Sequence, residues 1–114
     1  MKMMHTKHNP QEKVFFLSKS KRLDLRNAYE VKSTILSSIG KDHKSIILNL
    51  SGIHFIDSTA LSMLDEVDRV LSGMGCSFFL SNVSEEVKEL IDLGTCRINL
   101  KLSSPDHKKP PMAA

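Results

Sequence analysis

A chain of 114 residues has the usual length of one domain, and its 40% hydrophobic and 25% charged content is typical of a globular protein. The formal net charge is +3, but acidic residues outnumber basic ones between Asp24 and Gly94, and many lysines lie near the two ends of the chain. This distribution argues against direct, charge-driven binding of nucleic acid.

The sequence carries no signal for export or for a membrane span. Residues 1–11 are polar, and no segment approaches the ~20 apolar residues that a membrane-spanning helix needs. Cys76 and Cys96 do not form a CxxC pair, so we expect two free thiols in a reducing cytoplasm. Residues 1–12 and 103–114 have the composition of disordered tails on either side of a predicted domain at residues 13–102.

The first half of that domain is predicted to contain a strand, a helix and a second strand. Residues 14–17 are β-branched and aromatic, as in a strand. Asp24 can cap a helix that ends near Gly40, and residues 45–50 are a nearly continuous apolar run, typical of a strand covered on both faces. The apolar stripe of the helix recurs at a period near 3.6 and comprises Leu25, Ala28, Val31, Ile35 and Ile39.

The second half repeats this alternation. A helix is predicted from Asp57 to Gly73 or Gly75, followed by a buried strand at residues 76–80. Ser84 is a predicted N-cap for a third helix that stops at Gly94, and residues 98–100 form a last short strand. The order β-α-β-α-β-α-β predicts a single α/β domain with a mostly parallel sheet packed with three helices.

Residues 46–61 resemble the signature of STAS domains, which are named for sulfate transporters and anti-sigma-factor antagonists. The signature is an apolar strand, a short loop and a helix start, here Asp57-Ser58-Thr59-Ala60-Leu61. The flanking segments 22–24 and 80–84 resemble the family's entries into its first and third helices, so the likeness covers roughly residues 14–100. Lys21 and Ala60 stand where glycine is common, and residues 101–114 offer no counterpart of the family's last helix.

The start of the second helix is the predicted functional feature. A helix N-terminus presents free N–H groups and a partial positive charge, and Ser58 adds an exposed hydroxyl. A phosphate there would add about −1.5 to −2 charges and repel a partner without unfolding the domain. From the residues alone, the simpler interpretation is that Asp57, Ser58 and Thr59 are only capping residues. The family resemblance implies that Ser58 is the phosphorylation site; Thr59 is the neighbouring alternative.

Two further residues complete the predicted partner-binding set. Asp24 is expected to cap the first helix, and the resemblance implies that it also lies near Ser58 on the partner-facing surface. Met63 falls beside the apolar stripe of the second helix, so it is either a core residue or an apolar contact for a partner. The predicted partner-binding residues are Asp24, Asp57, Ser58, Thr59 and Met63.

No catalytic, metal or cofactor site is predicted. His54 is expected in a loop or at a sheet edge, and His5 and His8 lack ligand partners at zinc spacing. No glycine-rich phosphate loop follows a strand.

The resemblance implies an anti-sigma-factor antagonist-like switch. Such a protein binds an anti-sigma factor that is also a serine kinase of the GHKL type, is phosphorylated by it, and is reset by a phosphatase. Two alternatives remain open at this point. One is an accessory subunit of an ABC lipid-transport complex, and the other is a scaffold in a signalling assembly.

Overall fold

The computed structural model of the chain describes residues 2–9, 11–18, 20–40, 42–93 and 101–102. Strands and helices alternate through most of this part of the chain. In chain order the elements are β1 Lys2–Asn9, β2 Glu12–Ser18, β3 Arg22–Leu23, α1 Ala28–Ser37, β4 Ser45–Asn49, β5 Phe55–Ile56, α2 Ser58–Gly73, β6 Ser77–Ser81, α3 Glu85–Leu93 and β7 Lys101–Leu102.

Five of the strands form one sheet in the order β1-β2-β4-β6-β7. The pairs β2–β4, β4–β6 and β6–β7 are parallel, and β1 is antiparallel to β2. A separate parallel pair joins β3 to β5. The predicted α/β fold with a mostly parallel sheet is therefore confirmed, because helices connect successive parallel strands.

The structure differs from the prediction at the N-terminus. We expected a disordered tail over residues 1–12, whereas Lys2–Asn9 is a strand whose backbone pairs with β2. The polar composition of this segment gives no apolar pattern to detect, but an antiparallel edge strand is held by backbone hydrogen bonds to its neighbour. Other predictions lie outside the described residues: the helix stop at Gly94, the strand at residues 98–100, the tail at 103–114 and the thiol of Cys96.

The core lies on both faces of the sheet. On β4, Ile46 and Leu48 join the main cluster with the helices, while Ile47 packs on the opposite face with Val14 and Phe16. Side chains alternate along a strand, so a strand buried on both faces needs the continuous apolar run seen at residues 45–50. The two-sided burial predicted for this strand is confirmed.

Helix α2 supplies the largest helical contribution to the core and ends as the sequence predicts. The predicted stripe is buried throughout: Ala60, Leu61, Leu64, Val67 and Leu71. At its end the Gly75 amide donates to the Ser72 carbonyl and the Cys76 amide to the Leu71 carbonyl. These two bonds form a Schellman motif, which needs the left-handed conformation that Gly75 adopts at φ +78°.

Helix α3 begins as the sequence predicts. The Ser84 hydroxyl accepts the Val87 amide at 3.2 Å and donates to the Ile53 carbonyl, so the cap also ties α3 to the loop before β5. Val87 is buried in the main cluster, with Leu90 and Ile91 packed against it. The predicted N-cap is confirmed.

The start of α1 is where the prediction was wrong. Helix α1 begins at Ala28 with Asn27 at its N-cap, so Asp24 does not cap it. Residues 24–27 instead form a turn, closed by the Asn27 and Ala28 amides, which donate to the Asp24 carbonyl. Leu25, expected on the buried stripe, is 70% exposed on this turn. Residue spacing alone does not distinguish a first helical turn from a preceding tight turn.

The buried stripe of α2 gives a first prediction. Replacing Leu64, which is fully buried, by alanine removes apolar contacts and leaves a cavity in the main cluster. We expect Leu64→Ala to lower the free energy of unfolding by about 2–5 kcal/mol in urea denaturation. The control Ser72→Ala, at an exposed position of the same helix, should change it by less than about 0.5 kcal/mol. Equal effects of the two substitutions would contradict the assignment of this face to the core.

Candidate partner-binding surface

The candidate surface is organised by the carboxylate of Asp57. Asp57 has an extended backbone and is the N-cap of α2. Its Oδ1 accepts the Ala60 amide at 2.8 Å, and its main-chain carbonyl accepts the Leu61 amide at 3.0 Å. The side chain thus satisfies one of the amides that a helix start leaves without an intrahelical partner. The cap predicted from the sequence is present.

The same carboxylate also binds a second segment. Asp57 Oδ2 accepts the backbone amide of Leu25 at 3.0 Å, which joins the start of α2 to the turn at residues 24–27. The β3–β5 pair brings the two segments together, because the Asp57 amide donates to the Leu23 carbonyl at the end of this pair. One side chain therefore holds two loops that are 32 residues apart in sequence.

Asp24 shapes the turn from within. It is 8% exposed, and its Oδ2 accepts Arg22 Nε at 2.9 Å while its Oδ1 accepts the Arg26 amide at 3.0 Å. Asn27 completes the turn: its Oδ1 accepts the Asp24 amide and its Nδ2 donates to the Arg22 carbonyl. The Arg22 guanidinium also lies 4.5 Å from the centroid of the Phe55 ring, a cation–π contact between β3 and β5.

These hydrogen bonds set the charge state of Asp24. The bond from Arg22 is the largest cause that holds the pKa of the Asp24 carboxyl below its usual value, followed by the bond from the Arg26 amide. The carboxylate is therefore ionised and engaged inside the chain. Asp24 is linked to the start of α2 through the bond from the neighbouring Leu25 amide to Asp57, and its own side chain is bonded within the chain.

Ser58 and Thr59 occupy the first two positions of α2, and both are exposed. Neither hydroxyl hydrogen-bonds to another described residue, whereas Asp57 carries the capping role. The alternative in which all three residues are caps therefore applies to Asp57 alone. The structure leaves the hydroxyl of Ser58 on the surface, directly beside a fixed carboxylate.

Met63 does not join this surface. Its side chain is 5% exposed and belongs to the main cluster, so the core alternative describes its position. Met63 stands three residues after Ala60 and four before Val67, so it shares one face of the helix with them, and packing of this face against the core buries it. The sequence-based set also missed Arg26 and Asn27 of the turn and Arg22 of β3, which bonds to it. The spacing of these residues around Asp24 predicts their contacts only weakly, because the contacts form only if residues 24–27 adopt a turn in place of the expected helix start.

Other reactive groups in the described residues lie apart from this surface or are inert. Burial raises the pKa of the Cys76 thiol, which keeps it protonated. His54 Nδ1 lies 3.1 Å from Glu86 Oε1 on α3. The described ranges hold no group of three or more acidic, histidine or cysteine side chains arranged to bind a metal. None of their helices is long and apolar enough to cross a membrane.

The double role of Asp57 gives a second prediction. Asp57→Ala removes the acceptor for both the Ala60 and the Leu25 amides, so we expect a loss of about 1–2 kcal/mol in unfolding free energy. Amide hydrogen exchange should accelerate at Leu25 and Ala60 together. The control is Thr59→Ala, which removes an exposed hydroxyl two residues after Asp57 and should leave both amides protected from exchange. Unchanged exchange at the Leu25 amide in Asp57→Ala would contradict the hydrogen bond between Leu25 and Asp57.

The Arg22–Asp24 contact gives a third prediction. Because the folded-state pKa of Asp24 is lowered, its ionisation stabilises the fold above the ordinary aspartate pKa of about 3.9, and this contribution is lost as the pH falls through the folded-state pKa. Arg22→Gln should raise the pKa of Asp24, measured by carbon-13 NMR of the carboxyl group. Arg69→Gln, which removes an ion pair with Asp65 on α2, should leave it unchanged.

Comparison with known proteins bears on the fold. No curated protein sequence matches this chain significantly. Among solved structures, the chain is similar to the mouse anion transporter Slc26a9, a member of solute carrier family 26, in its inward-facing state. The identity is 21% and the TM-score 0.69, over 78% of this chain but 14% of the transporter. The chain thus corresponds to a small part of that protein.

Two further similar structures are close to this chain in length. The anti-sigma factor antagonist SpoIIAA in its unphosphorylated form aligns with a TM-score of 0.65 and 17% identity, over 90% of this chain and 88% of SpoIIAA. The Bacillus cell fate determinant SpoIIAA in its phosphorylated form aligns with a TM-score of 0.64 and 16% identity, over 92% and 94%. At 17% and 16% identity, these similarities show a shared fold.

The family assignment comes from the sequence match. The model of the STAS domain family matches residues 4–104, which include all the elements described above except the first two residues of β1. The likeness of residues 46–61 to the family signature is thereby confirmed. The chain belongs to the STAS domain family.

Proposed function

We propose that this chain is a cytoplasmic protein-binding switch of the anti-sigma-factor antagonist type. In this proposal its partner is an anti-sigma factor that is also a GHKL-type serine kinase, and phosphorylation of Ser58 ends the complex. The observation that carries the proposal is the exposed Ser58 hydroxyl at the first position of α2, beside the fixed carboxylate of Asp57. The similarity to SpoIIAA, which was solved in phosphorylated and unphosphorylated forms, supports it.

The surface suits reversible binding because its backbone is fixed before a partner arrives. Asp57 bonds Ala60 and Leu25, and Asp24 closes the neighbouring turn, so binding orders few main-chain groups. A preformed surface loses little conformational entropy on binding. The surface around Ser58 consists of Ser58, Thr59 and the turn at residues 24–27, with Leu25 as its exposed apolar side chain.

Phosphorylation acts on this surface through charge. The kinase transfers the γ-phosphoryl group of ATP to the Ser58 Oγ, which loses its proton, and ADP leaves. A phosphatase then uses water to return serine and inorganic phosphate. The phosphate carries about −1.5 to −2 charges next to the Asp57 carboxylate. Because Asp57 is held by two amides, it cannot turn away without breaking the cap, and the added charge opposes a partner packed over Ser58.

The proposal includes no reaction catalysed by this chain and no cofactor. Ser58 is the acceptor of a phosphoryl group, and the catalytic groups belong to the partner. In the described residues its hydroxyl has no histidine partner that could act as a general base, which nucleophilic catalysis by serine requires.

The similarity to part of the Slc26a9 transporter favours a second candidate. In that candidate, the same surface docks on a transporter subunit, such as the permease or ATPase of an ABC lipid-transport complex, without a phosphorylation cycle. Neighbouring genes distinguish the two: a GHKL-type ATPase and a phosphatase support the switch, whereas a permease and a transport ATPase support the accessory subunit.

A fourth prediction tests the switch directly. Ser58→Asp should weaken binding to the cognate anti-sigma kinase by at least about tenfold, or ~1.4 kcal/mol, because it places a fixed negative charge on the surface. Ser58→Ala should bind as well as the unchanged protein and should accept no phosphate. Isothermal titration calorimetry and phosphate-specific mass spectrometry read these outcomes.

The matched control is Ser72→Asp, which adds the same charge at an exposed position at the far end of α2. It should retain the affinity of the unchanged protein. If Ser58→Asp and Ser58→Ala bind the kinase equally well, the switch is wrong.

A further inference from the structure

A basic pocket lies beside the turn that Asp57 holds. Its cavity volume is about 210 Å³, and it opens to solvent between β3 and the start of α1. The lining residues are Ser20, Lys21, Arg22, Asp24, Arg26 and Asn27.

The charges of the basic pocket are unbalanced. Asp24 is already paired with Arg22 at 2.9 Å, so these two charges largely offset each other. Lys21 and Arg26 are exposed, and neither forms an ion pair with any residue in the described part of the chain. The pocket therefore holds three cationic side chains and one carboxylate, which the Arg22 side chain binds directly and the Arg26 side chain affects only through space. This excess of positive charge attracts an anionic oxygen group.

The basic pocket and Ser58 belong to one continuous surface. Asp24 and Arg26 flank Leu25 in sequence, and the Leu25 amide lies 3.0 Å from the carboxylate of Asp57, the residue before Ser58. The Leu25 side chain is 70% exposed between them. A protein partner can bury this apolar side chain while its polar groups meet the charges around it.

We propose that the basic pocket receives acidic side chains of the protein that binds around Ser58, so that the partner presents carboxylates to Lys21 and Arg26. This inference rests on the proposed function and adds the charge of the partner surface to it. A carboxylate fits better than a free phosphate dianion, because the ionised Asp24 lines the same pocket and repels a second concentrated negative charge. The neighbouring Leu25 gives a protein partner an apolar contact that a free ion cannot use.

This arrangement also explains how a phosphate on Ser58 would release the partner. The phosphate adds negative charge to the surface that the partner covers, so it repels the partner's carboxylates and opposes their attraction to Lys21 and Arg26. Charges on interface rims mainly steer association and its salt dependence. The affinity of the unphosphorylated protein should therefore fall as salt is added.

A titration of the full chain with a tetraglutamate peptide, capped at both ends, tests the proposal by ¹H–¹⁵N NMR. We expect saturable shifts at residues 20–27. Lys21→Gln or Arg26→Gln should each weaken the apparent affinity about two- to fivefold, as for an exposed ion pair. The matched control Lys88→Gln removes an exposed lysine of α3 and should leave the affinity unchanged. Unchanged spectra elsewhere in each variant establish that it is folded.

Tetraglutamine and inorganic phosphate serve as the other two probes. Equal shifts with tetraglutamine, shifts that never saturate, or binding of phosphate without binding of tetraglutamate would each overturn the proposal. So would equal losses of affinity in the Lys88 and Arg26 variants. The titration contains no kinase, so its result is independent of the Ser58 substitutions. If those substitutions contradict the switch but tetraglutamate still binds, the proposal for the basic pocket is retained. If tetraglutamate does not bind but the substitutions support the switch, only the proposal for the basic pocket is wrong.

Discussion

The carboxylate of Asp57 is the interaction on which the candidate surface depends. One oxygen caps α2 at the Ala60 amide, and the other holds the Leu25 amide of a distant turn. Capping alone would define where the helix begins. The second bond makes the helix start and the turn a single surface, because both segments are hydrogen-bonded to the same carboxylate. A carboxylate accepts hydrogen bonds from amides more strongly than a neutral oxygen does.

The rest of the fold places that carboxylate. Strands β3 and β5 are two residues long, yet their pairing sets Leu23 beside Asp57. Arg22 stabilises the pair from outside by stacking on Phe55 and bonding Asp24. On the other side, Ser84 ties α3 to the Ile53 carbonyl just before β5. Short polar contacts thus fix the loops, while the sheet and the stripe of α2 supply the apolar burial that stabilises the domain.

The charged side chains of this surface determine which partner it can attract. Asp24 and Asp57 are both engaged by hydrogen bonds within the chain, so they shape the surface more than they face a partner. Lys21 and Arg26 form no direct ion pair within the described part of the chain, although the charge of Arg26 acts on Asp24 through space. The positive formal charge of the whole chain does not predict these surface cations, because acidic residues outnumber basic ones between Asp24 and Gly94. What matters for recognition is which charges remain uncompensated at the surface.

The sequence by itself determined the α/β alternation, the two-sided burial of β4, the stripe of α2 and the caps at Asp57 and Ser84. Each of these depends on residues within a few positions of one another, and local patterns report local structure. Only the tertiary structure decided the rest. The strand at Lys2–Asn9 depends on a neighbouring strand, and the burial of Met63 depends on packing within the core. The placement of the turn at residues 24–27 beside α2 depends on a bond to Asp57 across 32 positions. Contacts between distant segments leave no period in the sequence, so the structure was needed to show that Asp24 is engaged within the chain while Ser58 faces solvent.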